Sequence, residues 1–268
     1  MTASSPTGRV TASLGIIEWG RERARAVPWR TDARIALLVC LPDTLTPSRE
    51  FIRRCLDRLA GQGYATVITG ALAPHEQQPF LAAGFGEHER LHLLSHDLTN
   101  LADRPRRPAL RRARRTDRSP AVAVDAVAFD AFWRLDFAGL QDAIDATPST
   151  RFRVASRARP APEATNRARP APEATSRARP ASLCAYAISG RSERHGYLQR
   201  LAVDPAHQRG GLGRALALDA LHWMRRHGVE RAVVNTQLDN HAALDLYDGL
   251  GFRLEPGGLA VLRHELHP

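Results

Sequence analysis

Lysine is absent from the 268 residues, so all 38 basic side chains are arginine. A phosphate loop of the G-x-x-x-x-G-K-[S/T] type, which needs a lysine, is therefore excluded. Cysteine is scarce as well. Cys40, Cys55 and Cys184 are too few and too scattered for a disulfide framework and form no C-x-x-C pair, so they read as small buried hydrophobes. No apolar run approaches the roughly 18–20 residues of a membrane span, and "MTASSPTGRVTASLG" lacks the basic-then-apolar order of a secretory signal. A cytoplasmic location without a membrane partner is expected.

What is present suits a packed protein: 43% apolar residues over this length can build one large domain or two small ones. The net charge of +10 would suit nucleic acid, because phosphate neutralisation by cations drives that binding. An all-arginine, alanine-rich chain is also what biased base composition produces, so nucleic acid is not the expected partner. A polyanionic cofactor is served equally well by the charge.

Two irregular stretches organise the chain. "ADRPRRPALRRARRTDR" (102–118) mixes proline with dense arginine and reads as a boundary near residue 105 running into a first strand. "RARPAPEATNRARPAPEATSRARPA" (157–181) is a ten-residue unit repeated twice and begun again, without apolar periodicity. It separates two strand-like runs, "RFRVA" (151–155) and "LCAYAI" (183–188), that would otherwise pair through a tight hairpin. Loop length costs stability only logarithmically, so a fold can carry an inert duplication there.

Around these stretches strands and helices alternate. Strands are expected at 109–114, 151–155, 183–188, 197–203 and 231–236, with helices within 118–131, 135–146, 211–227 and 240–250. A terminal strand pair is expected near 252–255 and 259–265. This pattern predicts an α/β (α+β) domain with a mixed sheet flanked by helices.

The densest signal is "DPAHQRGGLGRALALDAL" (204–221), three glycines between a strand and a helix. Glycines there let a backbone approach a ligand, and the unpaired N–H groups of a helix start favour an anion. The dinucleotide fingerprint G-x-G-x-x-G is met at Gly211 and Gly213 and fails at Leu216. The helix itself is well marked, by apolar Leu212, Leu216, Ala220 and Met224 and by "RRHG" at its end.

Gln208-Arg209-Gly210-Gly211-Leu212-Gly213 resembles the Q/R-x-x-G-x-G/A signature of the GNAT superfamily of acyl-CoA N-acyltransferases. A second stretch, "NTQLDNHAALDLYDGLGF" (235–252), resembles that family's N-x-x-A-x-x-L-Y-x-x-x-G-F at Asn240, Ala243, Leu246, Tyr247, Gly251 and Phe252. The likeness covers about residues 109–268, and "GYLQRLAVDP" is most similar to the branch that acetylates protein N-termini. It implies a GNAT fold, acetyl-CoA as co-substrate, no metal, and as acceptor an amine-bearing small molecule or a peptide N-terminus. The implied cofactor contacts are Leu201, Ala202, Val203, Gln208, Arg209, Gly210, Gly211, Leu212, Gly213, Arg214 and Asn240. In that reading the backbone N–H groups of 209–214 ring a pyrophosphate beside the Arg209 and Arg214 side chains, and the main chain of 201–203 pairs with the pantetheine arm. Asn240 is placed at a helix start, and Tyr247, seven residues on, shares its face.

By the same likeness Tyr247 is the acid that protonates the departing thiolate. The base is missing: where the family often carries glutamate, Gln199 and Asn235 stand, and neither can take a proton. Deprotonating a lysine-like amine at pH 7 costs about 4–5 kcal/mol, an α-amine only about 1–1.5. That favours an α-amine acceptor or a water relay through Glu193, His195 or Asp239. The alternative is a non-catalytic acyl-CoA-binding regulatory or scaffold protein that keeps the same pocket.

Residues 34–100 echo the C-terminal half. "RIALLVCLP" (34–42) answers "GYLQRLAVDP", "PFLAAGF" answers "LYDGLGF", and "SHDL" (95–98) answers "RHEL" (263–266). The glycine turn is replaced by "DTLTPSREF" (43–51), and Phe80 stands where Tyr247 would. The expected domains are an N-terminal extension (1–24), a smaller degenerate GNAT-like lobe (25–104) and a catalytic domain (105–268) interrupted at 157–181. "HERLH" (88–92) matches the H-E-x-x-H zinc pattern, which needs a helix. The internal comparison puts it in a loop and strand, where its histidines stand about 13 Å apart, too far to share a metal.

Overall fold

The computed structural model describes residues 15–30, 32–41, 44, 46–105, 108–157 and 182–266, so the decamer repeat beyond Arg157 lies outside the described residues. In order, the first elements are β1 (Gly15–Trp19), β2 (Glu22–Trp29), β3 (Asp32–Cys40), α1 (Arg49–Gly61), β4 (Thr66–Leu72), α2 (Pro74–Ala82) and β5 (Gly86–His96). Next come β6 (Leu110–Arg112), α3 (Arg118–Ala128), α4 (Phe137–Asp145), β7 (Ser149–Arg157), β8 (Ser182–Ser192) and β9 (His195–Val203). The chain then runs through α5 (Leu212–Arg226), β10 (Arg231–Gln237), α6 (His241–Asp248), β11 (Arg253–Leu254) and β12 (Leu259–Glu265).

These elements form two compact units. The first holds the described residues up to Leu93, together with 235–239 and the stretch from Glu255 onward; the second holds 94–234 and 240–254. Strands in the first unit run in the order β1-β2-β3-β4-β12-β5, and those in the second β10-β9-β8-β7-β6. Hairpin-linked strands pair antiparallel, while β3–β4 and β9–β10 pair parallel and are bridged by α1 and α5. The series β1-β2-β3-α1-β4-α2 thus has the same topology as β7-β8-β9-α5-β10-α6. The echo in the sequence is an architectural one.

Local chemistry explains the elements. Phe51, Ile52, Cys55, Leu56 and Leu59 form the buried stripe of α1, and the helix starts at Ser48, whose Oγ accepts from the Phe51 N–H. Burial pushes the Cys55 thiol up to about 12 and the Cys40 thiol to about 11, with the nearby Glu22 carboxylate adding to both. In the second unit α5 buries Leu212, Leu216, Leu221 and Met224 against β9 and β10, and α3 and α4 pack with Val154, Tyr186, Ile188 and Ala202.

Three expectations need correction. Residues 252–255 and 259–265 are strands but not partners: β11 pairs with Leu94 and Ser95, whereas β12 lies between β4 and β5. Hence the last strand belongs to the first unit, across the expected boundary near 105. The expected extension 1–24 already contains β1 and the start of β2, whose short alternating runs give only a weak signal in the sequence.

The two tails carry matching histidines. On β12, His264 donates its Nδ1–H to the Gly84 carbonyl at 2.9 Å and packs 5.3 Å from the Phe85 ring. Near the end of β5, His96 donates its Nε2–H to the Leu250 carbonyl at 3.0 Å and packs 5.2 Å from the Phe252 ring. His264 thus helps to close the first unit and His96 the second.

Because β12 carries core residues of the first unit, Leu262→Ala should cost about 2–5 kcal/mol, comparable to Leu59→Ala in α1. Urea denaturation checks this. A cost under about 1 kcal/mol would mean that β12 is peripheral.

Candidate active site

The glycine turn leaves β9 through Asp204, whose N–H donates to the Cys184 carbonyl at 2.9 Å, and through one short 3-10 turn, Pro205–His207. Gly211 then starts α5 with φ +77, the left-handed region in which a side chain is strained. A Cβ there would meet nothing within 4 Å, so the space before the helix is open. Gly213 serves closeness instead: a Cβ would lie 3.2 Å from Leu246 Cδ2 of α6. A Cβ there would require the Leu246 side chain to give way by a few tenths of an ångström.

Within α5 the first N–H to find an acceptor is that of Ala215, which donates to Gly211 O at 3.0 Å. Those of Gly211, Leu212, Gly213 and Arg214 find none among the described residues. Four aligned donors with the positive end of a four-turn helix behind them form an anion cradle. The corresponding start of α1 is closed by the protein itself. There the Ser48 N–H donates to the Glu22 carboxylate, the Ser48 Oγ–H donates to the same carboxylate at 2.8 Å, and the Phe51 N–H donates to Ser48 Oγ. One carboxylate thus occupies in the first unit the place an external anion could take in the second.

Beside the cradle, β9 separates from β10. Their ladder holds three pairs, Arg231↔His195, Ala232↔Gly196 and Val233↔Tyr197, and none further among the described residues. On its other edge β9 stays paired with β8 through Val203. From Leu198 to Val203 one edge of main chain has no strand partner among the described residues, the Val203 carbonyl being met by the Gln208 side-chain amide. The expected contacts Leu201, Ala202 and Val203 lie along it.

A buried polar network fixes this strand. Asp125 of α3, fully buried, accepts from Arg200 Nε at 2.7 Å and Nη2 at 2.8 Å, from Tyr186 Oη at 2.5 Å and from the Leu135 N–H at 2.6 Å. The Arg200 guanidinium also stacks 3.4 Å over the Phe129 ring. Every lone pair of the carboxylate is used, which is the condition under which a buried charge is tolerated. The network leaves no trace in the sequence, because a lone Asp in a helix and a lone Arg in a strand give no motif.

The remaining expected residues divide. Asn240 caps α6, its Oδ1 accepting from the Ala243 N–H at 3.1 Å. Tyr247 is buried, and burial raises its hydroxyl above the ordinary tyrosine range. Its ring lies 5.4 Å from Phe252, and the hydroxyl has no hydrogen bond among the described residues. Phe80, its counterpart, is sealed against Phe85 at 5.3 Å. Arg209 is exposed at φ +60, and Gln208 donates from Nε2 to the Val203 carbonyl at 3.3 Å.

Arg214 departs from expectation. Its guanidinium donates to the Gly249 carbonyl at 2.8 Å, satisfying the end of α6 rather than the cradle. An arginine outside the motif stands nearer: Arg157, at the end of β7, donates to the Gly210 carbonyl at 3.2 Å. Glu193 and His195 lie at the β8–β9 turn, the opposite end of β9 from the glycines, and are not brought to the cradle. Asp239 and Asn235 are exposed, and "HERLH" runs within strand β5, not on a helix.

Residues 166–252 match the family model described as the acetyltransferase (GNAT) family. That segment, about a third of the chain, is what carries the likeness to the GNAT acetyltransferase family. Over 60 residues it is 45% identical to a mycothiol acetyltransferase of Amycolatopsis mediterranei, covering 22% of this chain and 20% of that protein. Over 72 residues it is 35% identical to human N-alpha-acetyltransferase 30, covering 27% of this chain and 20% of the relative. The chain thus spans about a fifth of the length of these curated relatives.

Among solved structures, a tandem GNAT protein from the clavulanic acid biosynthesis pathway matches with TM-score 0.58 and 14% identity, over 92% of this chain and 79% of that one. A GCN5-related N-acetyltransferase from Kribbella flavida matches with TM-score 0.58 and 14% identity, over 97% and 92%. At such identity these likenesses concern the fold, and they agree with the duplicated topology seen here. No described helix is long and apolar enough to cross a membrane.

GNAT acetyltransferases use acyl-CoA co-substrates, and the diphosphate of such a molecule suits four free N–H groups. Gly211→Glu, which puts a carboxylate where Glu22 closes α1, should abolish the thermal stabilisation of this protein by CoA. A variant stabilised as much as the parent would remove the cradle from the site.

Proposed function

We propose that this protein transfers an acetyl group from acetyl-CoA directly to a primary amine. The observation that carries the proposal is the pairing of an open anion cradle at Gly211–Arg214 with a β9 edge left unpaired from Leu198 to Val203. A CoA-type molecule is a diphosphate joined to an amide-bearing arm, and these two features offer donors to the first and a strand edge to the second. The N–H groups of 209–214 and the Arg209 side chain would hold the diphosphate, and the main chain of Leu201, Ala202 and Val203 the arm. Gln208 and Leu212 would shape the turn from below, Gly210 and Gly213 would give clearance, and Asn240 would fix the start of α6. The arginine at 214 acts in this reading through its backbone N–H.

When bound, acetyl-CoA supplies the activated acyl group as a thioester. Tyr247 would hold the proton needed by the departing sulfur. Burial keeps its phenol protonated at neutral pH but also weakens it as an acid, so passing its proton to a sulfur whose parent thiol titrates at about 8.5 would require the bound thioester to relieve that burial penalty by hydrogen bonding. The named relatives suggest two acceptor classes, a small thiol metabolite's amine and a protein N-terminus; both are primary amines. A site in the cytoplasm fits this chemistry, since acetyl-CoA is made and used there.

Tyr247→Phe should lower kcat at least tenfold and leave acetyl-CoA affinity within about twofold, as read by steady-state kinetics and calorimetry. An unchanged rate would remove Tyr247 as the acid. Tight acetyl-CoA binding without transfer to any amine would instead favour the non-catalytic binding protein, the reading that Gln199 and Asn235 motivate.

A further inference from the structure

Gln199 is the residue of β9 that the ladder skips: Ile188 pairs with Arg200 and Ser189 with Leu198, so Gln199 forms a bulge. The bulge changes where its side chain goes. Arg200 and Ala202 face Asp125 and the α3–α4 side, while Leu201 and Val203 face Gly213 on the α5 side. Leu198 also packs into the core that contains α5 and Tyr247. By alternation from Leu201, Gln199 lies on that same face. It also stands two residues past Tyr197, where the β9–β10 ladder ends.

Its amide oxygen is buried and has no hydrogen-bond partner among the described residues. A buried acceptor left unpaired is disfavoured unless something supplies a donor. Arg200, its neighbour, is turned away and fully engaged by Asp125 and the Trp133 carbonyl. No described group supplies that donor, and an external N–H can.

We infer that Gln199 Oε1 is the seat of the acceptor amine, receiving one of its N–H groups at the mouth of the β9–β10 opening, and that this makes the protein selective for amines of low basicity. The inference rests on the acyltransferase reading above. A neutral amide aligns an amine but cannot deprotonate it, so the nucleophile has to arrive uncharged. The nitrogen then bonds the acyl carbon, the carbon–sulfur bond breaks, the Tyr247 proton passes to sulfur, and the surplus proton on nitrogen leaves to solvent, which reprotonates the tyrosine. At pH 7 an α-amine is uncharged about 230 times more often than a lysine side chain, taking reference values of about 8.0 and 10.4. That ratio, reduced by the greater nucleophilicity of the more basic amine once neutral, sets the ceiling of the selectivity of a site with glutamine in place of a base.

The test uses the full chain, acetyl-CoA, and two simple acceptors of different basicity, glycinamide and ethylamine, with kcat/KM measured from pH 6 to 10. The parent should follow the ionisation of each amine and so give two displaced profiles. Gln199→Leu should raise the amine KM at least tenfold with acetyl-CoA affinity unchanged, and Gln199→Glu should bring the two profiles together on one enzymatic limb. Coincident profiles in the parent, or an unchanged amine KM in Gln199→Leu, would overturn the assignment, as would acetyl-CoA binding without transfer to either amine. Failure of the parent to bind acetyl-CoA would sink the acyltransferase reading itself, and this inference with it.

Discussion

The unpaired N–H groups at the start of α5 are the constraint around which the second unit is arranged. They stay unpaired because Gly211 offers no capping side chain and adopts a backbone conformation that places the next three N–H groups together in front of open space. Gly213 leaves room for the Leu246 side chain of α6, and Arg214 is drawn off to satisfy the end of α6. The strand that delivers the turn is anchored from the other face by Asp125, Arg200 and Tyr186, so β9 keeps its course after β10 has left it.

The first unit shows what the same architecture becomes without that constraint. Its helix α1 bridges parallel strands as α5 does, yet Ser48 and Glu22 satisfy the helix start from within. Phe80 replaces the tyrosine and is sealed by Phe85. The closed helix start and the missing hydroxyl are two independent differences between the units. With Ala260 and Leu262 of β12 in its core, that unit is completed only by the last strand of the chain.

Most elements of the second unit are legible in the sequence because each carries a local signal. Apolar spacing and terminal cations mark α5, and two motifs at a fixed distance mark the turn and α6. Long-range partners are not legible: nothing in "LAVLRHE" says that it inserts between β4 and β5 rather than pairing with its nearest neighbour. The same holds for side chains that satisfy carbonyls. The turn predicts that Arg214 faces an anion, but the carbonyl at Gly249 competes for it, and Arg157 reaches the turn from a hairpin whose geometry no spacing encodes. The glutamine at 199 is visible as a missing base, whereas its orphaned oxygen comes from a bulge that only the strand register reveals.

Amide hydrogen exchange followed by mass spectrometry, with and without saturating CoA, tests most directly whether α5, and not α1, holds an anionic acyl carrier by its first N–H groups. Slowed exchange at 209–214 and along the β9 edge, lost at 209–214 when pantetheine replaces CoA and absent at 48–52, is the predicted result. Equal protection at both helix starts, or protection at neither, would contradict it.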